Sequence, residues 1–139
     1  MSILVTDTSA LVAILREEPE ADVFAKLLED SDPAISAGSV IEAIRAMTAK
    51  RGPDAGERVW RFLKTFRVRI VSVTAAQVHL AEEGMARFGK GRGAPPAVLN
   101  FGDLFAYALA RHLDAPLLFK GNDFGQTDVK VALLATATP

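Results

Sequence analysis

The chain has 139 residues and a net charge of −1; half of its residues are apolar and none is cysteine. This length and composition predict a single domain over residues 1–139, with 136–139 as a frayed tail. The near-neutral charge leaves any contact with nucleic acid to local basic groups, and the lack of cysteine excludes disulfides, thiolate zinc sites and a cysteine nucleophile.

The first predicted elements are a buried strand at 3–5 and a helix at 10–15, separated by the polar residues Asp7, Thr8 and Ser9. Because this apolar stretch is interrupted by Asp7 and has neither a basic segment before it nor a small-residue cleavage signal, we do not expect a signal peptide. No apolar run reaches the length of a membrane span, so we expect a soluble cytoplasmic protein.

Strands and helices alternate along the rest of the chain, which predicts an α/β fold with a central, mostly parallel sheet flanked by helices. The segment 88–97, rich in Gly, Pro and basic residues, is predicted to be a mobile loop. Further strands are predicted at 34–36, 68–73, 117–119 and, as a short last strand, 129–134; further helices are predicted at 19–30, 38–51, 53–66, 75–87 and 101–113.

The spacing gives apolar faces to helices 19–30, 38–51, 53–66 and 101–113. Trp60 lies partly outside the inner face of its own helix and is a candidate for the rim of a dimer surface. The predicted buried residues are Val40, Ile41, Ile44 and Met47 on helix 38–51, and Phe101, Leu104, Phe105, Ala108 and Leu109 on helix 101–113.

Four acidic residues lie near predicted helix starts or in a turn, and each has an ordinary structural explanation. Asp7 is placed to cap the helix that follows it. Ser39 and Glu42 have the spacing of a capping box, in which each side chain accepts a hydrogen bond from the main chain of the other. Asp103 lies in the first turn of its helix, where a negative charge is favoured, and Asp123 lies in a Gly-Asn-Asp turn.

Taken together, these explanations predict that the four carboxylates converge. In a parallel sheet with right-handed crossovers, helix N-termini collect at the edge where the strands end. Ionised carboxylates in contact there would repel by about 4 kcal/mol per pair at an effective dielectric of 20, and a divalent cation would offset that repulsion. An all-oxygen ligand set favours magnesium or manganese over zinc. Thr8 and Ser9, beside Asp7, are candidates to orient a water or a phosphate, or to cap the helix.

Four segments of the sequence strongly resemble the PIN-domain ribonucleases, and specifically the VapC toxins of bacterial toxin–antitoxin pairs. The resemblance covers nearly the whole chain in order. Its segments are VTDTSAL near the N-terminus, SAGSVIEA with its glutamate, NFGDLFAYALA, and KGNDFGQTD after a predicted strand.

The resemblance implies a single PIN-like domain with metal-dependent endoribonuclease activity, using Mg²⁺ or Mn²⁺. It implies that Asp7, Glu42 and Asp103 are the core acidic residues, and Asp123 matches the fourth acidic position. Asn122 and Asp128 lie near that position and are alternatives or supporting residues. It also implies a homodimer and a cognate VapB antitoxin that blocks the site, commonly with a basic side chain among the carboxylates.

Our mechanistic hypothesis assigns each carboxylate a role. Asp7 and Asp103 hold one ion directly, Asp123 contributes directly or through water, and Glu42 orients the attacking water or supports a second ion. The expected substrate is a structured RNA such as tRNA or rRNA, whose cleavage inhibits translation and growth. Candidate RNA contacts are Arg45 and the basic groups of the glycine-rich loop, Arg87, Lys90 and Arg92; a solvated surface patch is the alternative.

Other classes of protein fit part of this pattern. A phosphoacceptor receiver domain also has an acidic magnesium pocket and a lysine after its last strand, a place that Lys120 could fill. It needs an aspartate at the end of a central strand, and the segment VRIVSVT has none. A nuclease-like fold kept only for binding is disfavoured, because all four acidic positions hold residues that could bind a metal ion. DNA in place of RNA remains open, because the 2′-hydroxyl plays no part in this chemistry. His79 and His112 are interpreted as ordinary helix residues.

Overall fold

Four parallel strands form the centre of the structure, a computed structural model that describes residues 1–91 and 97–132. The strands are β1 (Ile3–Thr6), β2 (Asp32–Ser36), β3 (Arg69–Val71) and β4 (Leu117–Leu118). They lie in the order β3-β2-β1-β4, and each neighbouring pair is parallel. The chain therefore builds the sheet outward from β1 through β2 to β3 and then returns to the other side of β1. The carboxyl end of β1 is thus at the point where the strand order reverses, which is where α/β sheets bind ligands.

Six helices cover the two faces of this sheet in the described part of the chain. Alternate strand residues point to opposite faces, so Leu4 packs with α1 to α4 and Val5 packs with α6. A single 3-10 turn, Phe124–Gln126, follows β4. The helices are α1 (Thr8–Leu15), α2 (Ala21–Glu29), α3 (Ala37–Arg51), α4 (Ala55–Thr65), α5 (Ala75–Phe88) and α6 (Asp103–Leu113).

The predicted α/β architecture is confirmed, but several boundaries were wrong. β3 is limited to Arg69–Val71, because it is an edge strand that pairs only with β2. The predicted last strand at 129–134 is reduced to one bridge between Leu117 and Val131, and its final two residues lie outside the described residues. Gly89 pairs with Leu99 across the predicted loop, whose residues 92–96 lie outside the described part, as does the predicted tail 136–139.

Two residues predicted to be buried are exposed instead. Ile41 on α3 is 70% exposed, and Phe101, which precedes α6, is 77% exposed. Hydrophobic periodicity identifies an apolar position but not whether another element covers it. Trp60 is half exposed on α4, as its position on the helix predicted. Within the described residues, no helix has both the length and the apolar character needed to cross a bilayer.

Candidate active site

Asp7 is fixed at the junction between β1 and α1. It is the N-cap of α1, and its Oδ2 accepts a hydrogen bond of 2.9 Å from the main-chain N–H of Ser9. Its own main-chain N–H donates to the carbonyl of Leu118 in β4 at 2.9 Å. The side chain is only 3% exposed, and Oδ1 has no hydrogen-bond partner among the described residues. Helix capping therefore accounts for the hydrogen bonding of Oδ2, whereas Oδ1 is available to bind another group.

The surroundings of Asp7 favour its neutral form. Burial raises the pKa of Asp7 from its ordinary 3.8 to about 6, against the lowering effect of the hydrogen bond from Ser9. The negative charges of Asp103 and Glu42 raise this pKa further. A buried carboxylate with a free oxygen and two acidic neighbours is the arrangement that a cation would stabilise.

Asp103 is the first residue of α6 and exchanges two hydrogen bonds with Asn100. The carboxylate of Asp103 accepts a hydrogen bond from the main-chain N–H of Asn100 at 3.0 Å. In return, the side-chain oxygen of Asn100 accepts one from the main-chain N–H of Asp103, also at 3.0 Å. Burial raises the pKa of Asp103, and the carboxylates of Asp123 and Glu42 add to the rise, whereas the Asn100 hydrogen bond and the charge of Lys90 lower it. Asp103 thus interacts electrostatically with the other three acidic residues.

Glu42 does not form the predicted capping box with Ser39. α3 begins at Ala37, and its N-cap is Ser36, whose hydroxyl accepts from the N–H of Gly38. Glu42 therefore lies in the second turn of the helix rather than the first. Its carboxylate packs directly against Gly102, where any Cβ atom would overlap it. The glycine permits Glu42 to approach the start of α6, beside Asp103.

Asp123 lies in the segment that follows β4. It precedes the Phe124–Gln126 turn, makes no capping hydrogen bond with its side chain, and is exposed. Its charge raises the pKa of Asp103, which places it within electrostatic range of that carboxylate. The neighbouring Asn122 is also exposed and lines a surface hollow with Lys120.

Asp128 is bound by a separate group of side chains, here called the Asp128 network. The group comprises Asp128, Tyr107, Arg111, Arg87 and Glu83, on α5, α6 and the chain after the 3-10 turn. Asp128 accepts from Tyr107 at 2.8 Å and from Arg111 and Arg87 at 3.0 Å each. Arg87, the last residue of the predicted helix 75–87, was grouped with the basic residues of the glycine-rich loop; it lies in the last turn of α5 and is paired with Asp128.

Thr8 and Ser9 bind neighbouring elements through their hydroxyls. Thr8 donates to the carbonyl of Ser39 in α3 at 2.9 Å, and the Ser9 hydroxyl accepts from the main-chain N–H of Lys120 at 3.0 Å. Neither hydroxyl caps α1, since Asp7 performs that role. These contacts fix the start of α3 and the segment after β4 on either side of Asp7.

The fit of a divalent cation is tested by the donor atoms around Asp7. Across residues 1–91 and 97–132, no three Asp, Glu or His side chains form a group close enough to hold a metal ion as they stand. One buried oxygen of the acidic set, Oδ1 of Asp7, nevertheless has no hydrogen-bond partner in the same part of the chain. This free oxygen and the all-oxygen character of the acidic residues fit Mg²⁺ or Mn²⁺.

Of the predicted basic contacts, only Lys90 is shown near the acidic residues. Its charge lowers the pKa of Asp103. Arg45 is exposed on α3, and Arg92 lies outside the described residues. His79 and His112 are exposed on α5 and α6, in keeping with their interpretation as ordinary helix residues.

The comparison with known sequences identifies the family. Residues 4–130 match the PIN domain family. VapC ribonuclease Mb0625 of Mycobacterium bovis and ribonuclease VapC28 of Mycobacterium tuberculosis are each 40% identical to this chain over 131 residues, which cover 94% of this chain and 98% of each relative. The chain belongs to the VapC ribonuclease family of PIN-domain proteins.

Solved structures share the same fold at much lower sequence identity. VapC20 of Mycobacterium tuberculosis, described as a sarcin–ricin loop cleaving toxin, matches with a TM-score of 0.72 at 16% identity, over 93% of this chain and 98% of that chain. VapBC2 from Rickettsia felis, bound to a DNA fragment from its promoter, matches with a TM-score of 0.68 at 17% identity, over 93% and 96% of the two chains.

The family predicted from the four sequence segments is therefore confirmed, as is its class as a VapC ribonuclease of the toxin–antitoxin type. The receiver-domain alternative is not supported. Sequence reasoning missed Gly102, Tyr107 and Arg111. The position of Gly102 directly before Asp103 was a signal that the sequence offered. The contacts of Tyr107 and Arg111 with Asp128 depend on tertiary structure, and no local pattern indicates them.

Proposed function

We propose that this VapC protein is a Mg²⁺- or Mn²⁺-dependent endoribonuclease that cleaves a structured RNA, such as tRNA or rRNA, and thereby inhibits translation and growth. The main support is the carboxylate of Asp7, which is buried, held by Ser9 through one oxygen and unpartnered at the other among the described residues. A buried charge of this kind is costly unless a counter-charge accompanies it.

Asp7, Asp103 and Asp123 would hold the ion, with Glu42 beside them. When bound, a divalent cation makes a water molecule more acidic and neutralises charge on the phosphoryl oxygens. The chain contributes the geometry: the N–H of Ser9 orients Asp7, and the exchange with Asn100 orients Asp103. Carboxylates fixed in this way need little rearrangement when a phosphodiester binds.

Glu42 would position the attacking water. Gly102 allows its carboxylate to lie against the start of α6, next to Asp103. That water would lose a proton as its oxygen forms a bond to phosphorus, the bond from phosphorus to O3′ would break, and O3′ would take up a proton. The products are a 3′-hydroxyl and a 5′-phosphate.

Substrate binding would use basic groups around the acidic site. Lys90 is the strongest candidate, because it acts electrostatically on Asp103, and Arg45 is exposed on the helix that carries Glu42. Arg92 is proposed as a further RNA contact only because it is a basic residue of the glycine-rich segment. Arg87 is a weaker candidate, because its guanidinium is already paired with Asp128 and Glu83.

We also propose a VapB-type antitoxin as partner, a homodimer as the assembly, and the cytoplasm as the place of action. Solved neighbours include VapBC complexes, among them that of Rickettsia felis. An antitoxin that inserts a basic side chain among Asp7, Glu42 and Asp103 would offset their mutual repulsion and exclude substrate. A homodimer could cover the exposed apolar residues Ile41, Trp60 and Phe101.

The test compares the parent protein with Asp7→Asn and Asp103→Asn. Each is expressed with and without the adjacent small open reading frame, and the 5′ ends of cleaved RNA are mapped. We expect the parent to arrest growth, the neighbour to relieve the arrest, and both variants to lose the cuts. Asp22→Asn, at an exposed position of α2, is the control and should cleave like the parent. Cleavage at the parent rate by Asp7→Asn would refute the proposal.

A further inference from the structure

The Asp128 network leaves no free oxygen on the Asp128 carboxylate. Oδ1 accepts from the hydroxyl of Tyr107 at 2.8 Å, and Oδ2 accepts from Arg111 and Arg87 at 3.0 Å each. Arg111 also donates to the Tyr107 oxygen at 2.8 Å. Glu83 pairs with both arginines, at 3.3 Å to Arg111 and 3.6 Å to Arg87. Asp128 is consequently committed to protein contacts and is a poor candidate for a metal ligand.

The network is anchored in the interior of the protein. Tyr107 is fully buried, and its ring lies so close to Gly84 of α5 that any Cβ atom there would overlap it. Burial, together with the hydrogen bond to Asp128, raises the pKa of Tyr107 to about 12, so its hydroxyl remains a donor at neutral pH. Burial opposes ionisation of Asp128, but the hydrogen bond from Tyr107 and the charge of Arg111 outweigh it and lower the pKa of Asp128.

The segment that carries Asp123 is fixed at both ends by hydrogen bonds and ion pairs. At its start, the main-chain N–H of Lys120 donates to the Ser9 hydroxyl at 3.0 Å, and the Lys120 ammonium pairs with Glu18 at 2.7 Å. At its end, Asp128 is bonded to α6. Between these anchors only the short 3-10 turn is regular, and the side chain of Asp123 makes no capping hydrogen bond.

The anchor at Asp128 reaches the helix that begins with Asp103. Tyr107 is four residues after Asp103 on α6, which is one helical turn, or about 6 Å along the axis. The position of Asp123 relative to Asp103 therefore depends on how this segment is fixed to α6. Groups that orient metal-binding side chains from behind commonly change metal affinity by about 10–100-fold when they are removed.

We propose that Asp128, held by Tyr107 and Arg111, is a positioning residue that fixes Asp123 relative to Asp103 and so sets the affinity of the acidic site for a divalent cation. The inference rests on the proposed function, because it requires that Asp123 help to bind the ion. It assigns to Asp128 an indirect role in place of the direct one that its position in the sequence suggested.

The experiment measures Mn²⁺ binding to the intact protein, by the loss of the free-ion paramagnetic resonance signal, for the parent and three variants. We expect Asp128→Asn and Asp123→Asn each to weaken binding by about 10–100-fold. The double variant should bind no more weakly than Asp123→Asn alone, because Asp128 acts only through Asp123. Cleavage by Asp128→Asn should approach the parent rate at saturating Mn²⁺, so the change lies in the metal requirement.

Two further variants separate this role from general stability. Asp114→Asn removes an exposed ion pair with Lys130 of 2.9 Å, and we expect it to leave Mn²⁺ affinity unchanged. Tyr107→Phe keeps the buried ring but removes one bond to Asp128, so it should weaken Mn²⁺ binding several-fold even if Asp128→Asn does not fold.

The outcomes distinguish this inference from the proposed function. Parent-like Mn²⁺ affinity in Asp128→Asn or Tyr107→Phe, or additive losses in the double variant, would overturn the positioning role while the nuclease proposal stands. A parent protein that neither binds Mn²⁺ nor cleaves RNA would overturn both.

Discussion

Replacing Asp7 by asparagine should stabilise the metal-free protein at neutral pH. The pKa of Asp7 is raised from 3.8 to about 6 by burial and by the charges of Asp103 and Glu42. The unfolded chain therefore loses this proton at lower pH than the folded protein does. The resulting penalty is absent below about pH 4, grows between about pH 4 and 6, and is complete above about pH 6. A shift of roughly two pKa units corresponds to about 3 kcal/mol of lost stability.

Asparagine preserves the local geometry while removing the charge. Its side-chain oxygen can still accept from the N–H of Ser9, and asparagine is as good an N-cap as aspartate. In the presence of a chelator at about pH 7.5, we expect Asp7→Asn to be more stable than the parent by about 3 kcal/mol. For a chain of this size that is a rise of about 10 °C in Tm. At about pH 5 the gain should fall to about half, because the folded protein then keeps most of its proton.

Urea unfolding, followed by the fluorescence of Trp60, the single tryptophan, measures the free energy of unfolding at each pH. Asp22→Asn, which removes a charge from an exposed position in the first turn of α2, is the matched control and should show no gain. If Asp7→Asn is no more stable than the parent at about pH 7.5, or gains equally at about pH 5, the ionised Asp7 carries no burial penalty and the reasoning fails.

Three further results are expected. Phe101→Ala, at a residue that is 77% exposed, should change the unfolding free energy by less than about 0.5 kcal/mol, whereas Phe24→Ala, at 1% exposure, should cost about 3–5 kcal/mol in the same urea experiment. Gly102→Ala should displace the carboxylate of Glu42 and slow RNA cleavage, with little change in Tm, because only the end of a flexible side chain must move. A chelator should abolish cleavage and added Mg²⁺ or Mn²⁺ should restore it; activity that persists in the chelator would contradict the metal requirement.

The sequence was sufficient to predict the junction that carries Asp7. A short apolar run, a polar interruption and a resumed helical spacing correspond to β1, the N-cap and α1. Because β1 lies between β2 and β4, the ends of these strands had to converge at one edge. Local pattern and general topology therefore account for most of the proximity between Asp7 and the other carboxylates.

Features that depend on tertiary contacts were not predictable from local pattern. Both Ser36 and Ser39 precede helix-forming residues, and only the extent of β2, set by its pairing with β1 and β3, determines that Ser36 is the cap. Ile41 and Phe101 fit an apolar stripe, yet no described element covers them. The pairing of Asp128 with Arg87 joins residues 41 positions apart, which no periodicity indicates.

The free-energy cost of burying the ionised Asp7 can be offset by the free energy of binding a cation. An uncompensated penalty of about 3 kcal/mol is a large part of the 5–15 kcal/mol that typically separates folded from unfolded protein. A cation present at about 100 times its dissociation constant and binding only the folded state raises the free energy of unfolding by about 2.7 kcal/mol. The parent should therefore gain stability from Mg²⁺ or Mn²⁺ and Asp7→Asn should gain far less, so that the two proteins become nearly equal in stability at saturating metal. The same carboxylate that destabilises the metal-free protein would then make its stability depend on the ion that the proposed chemistry requires.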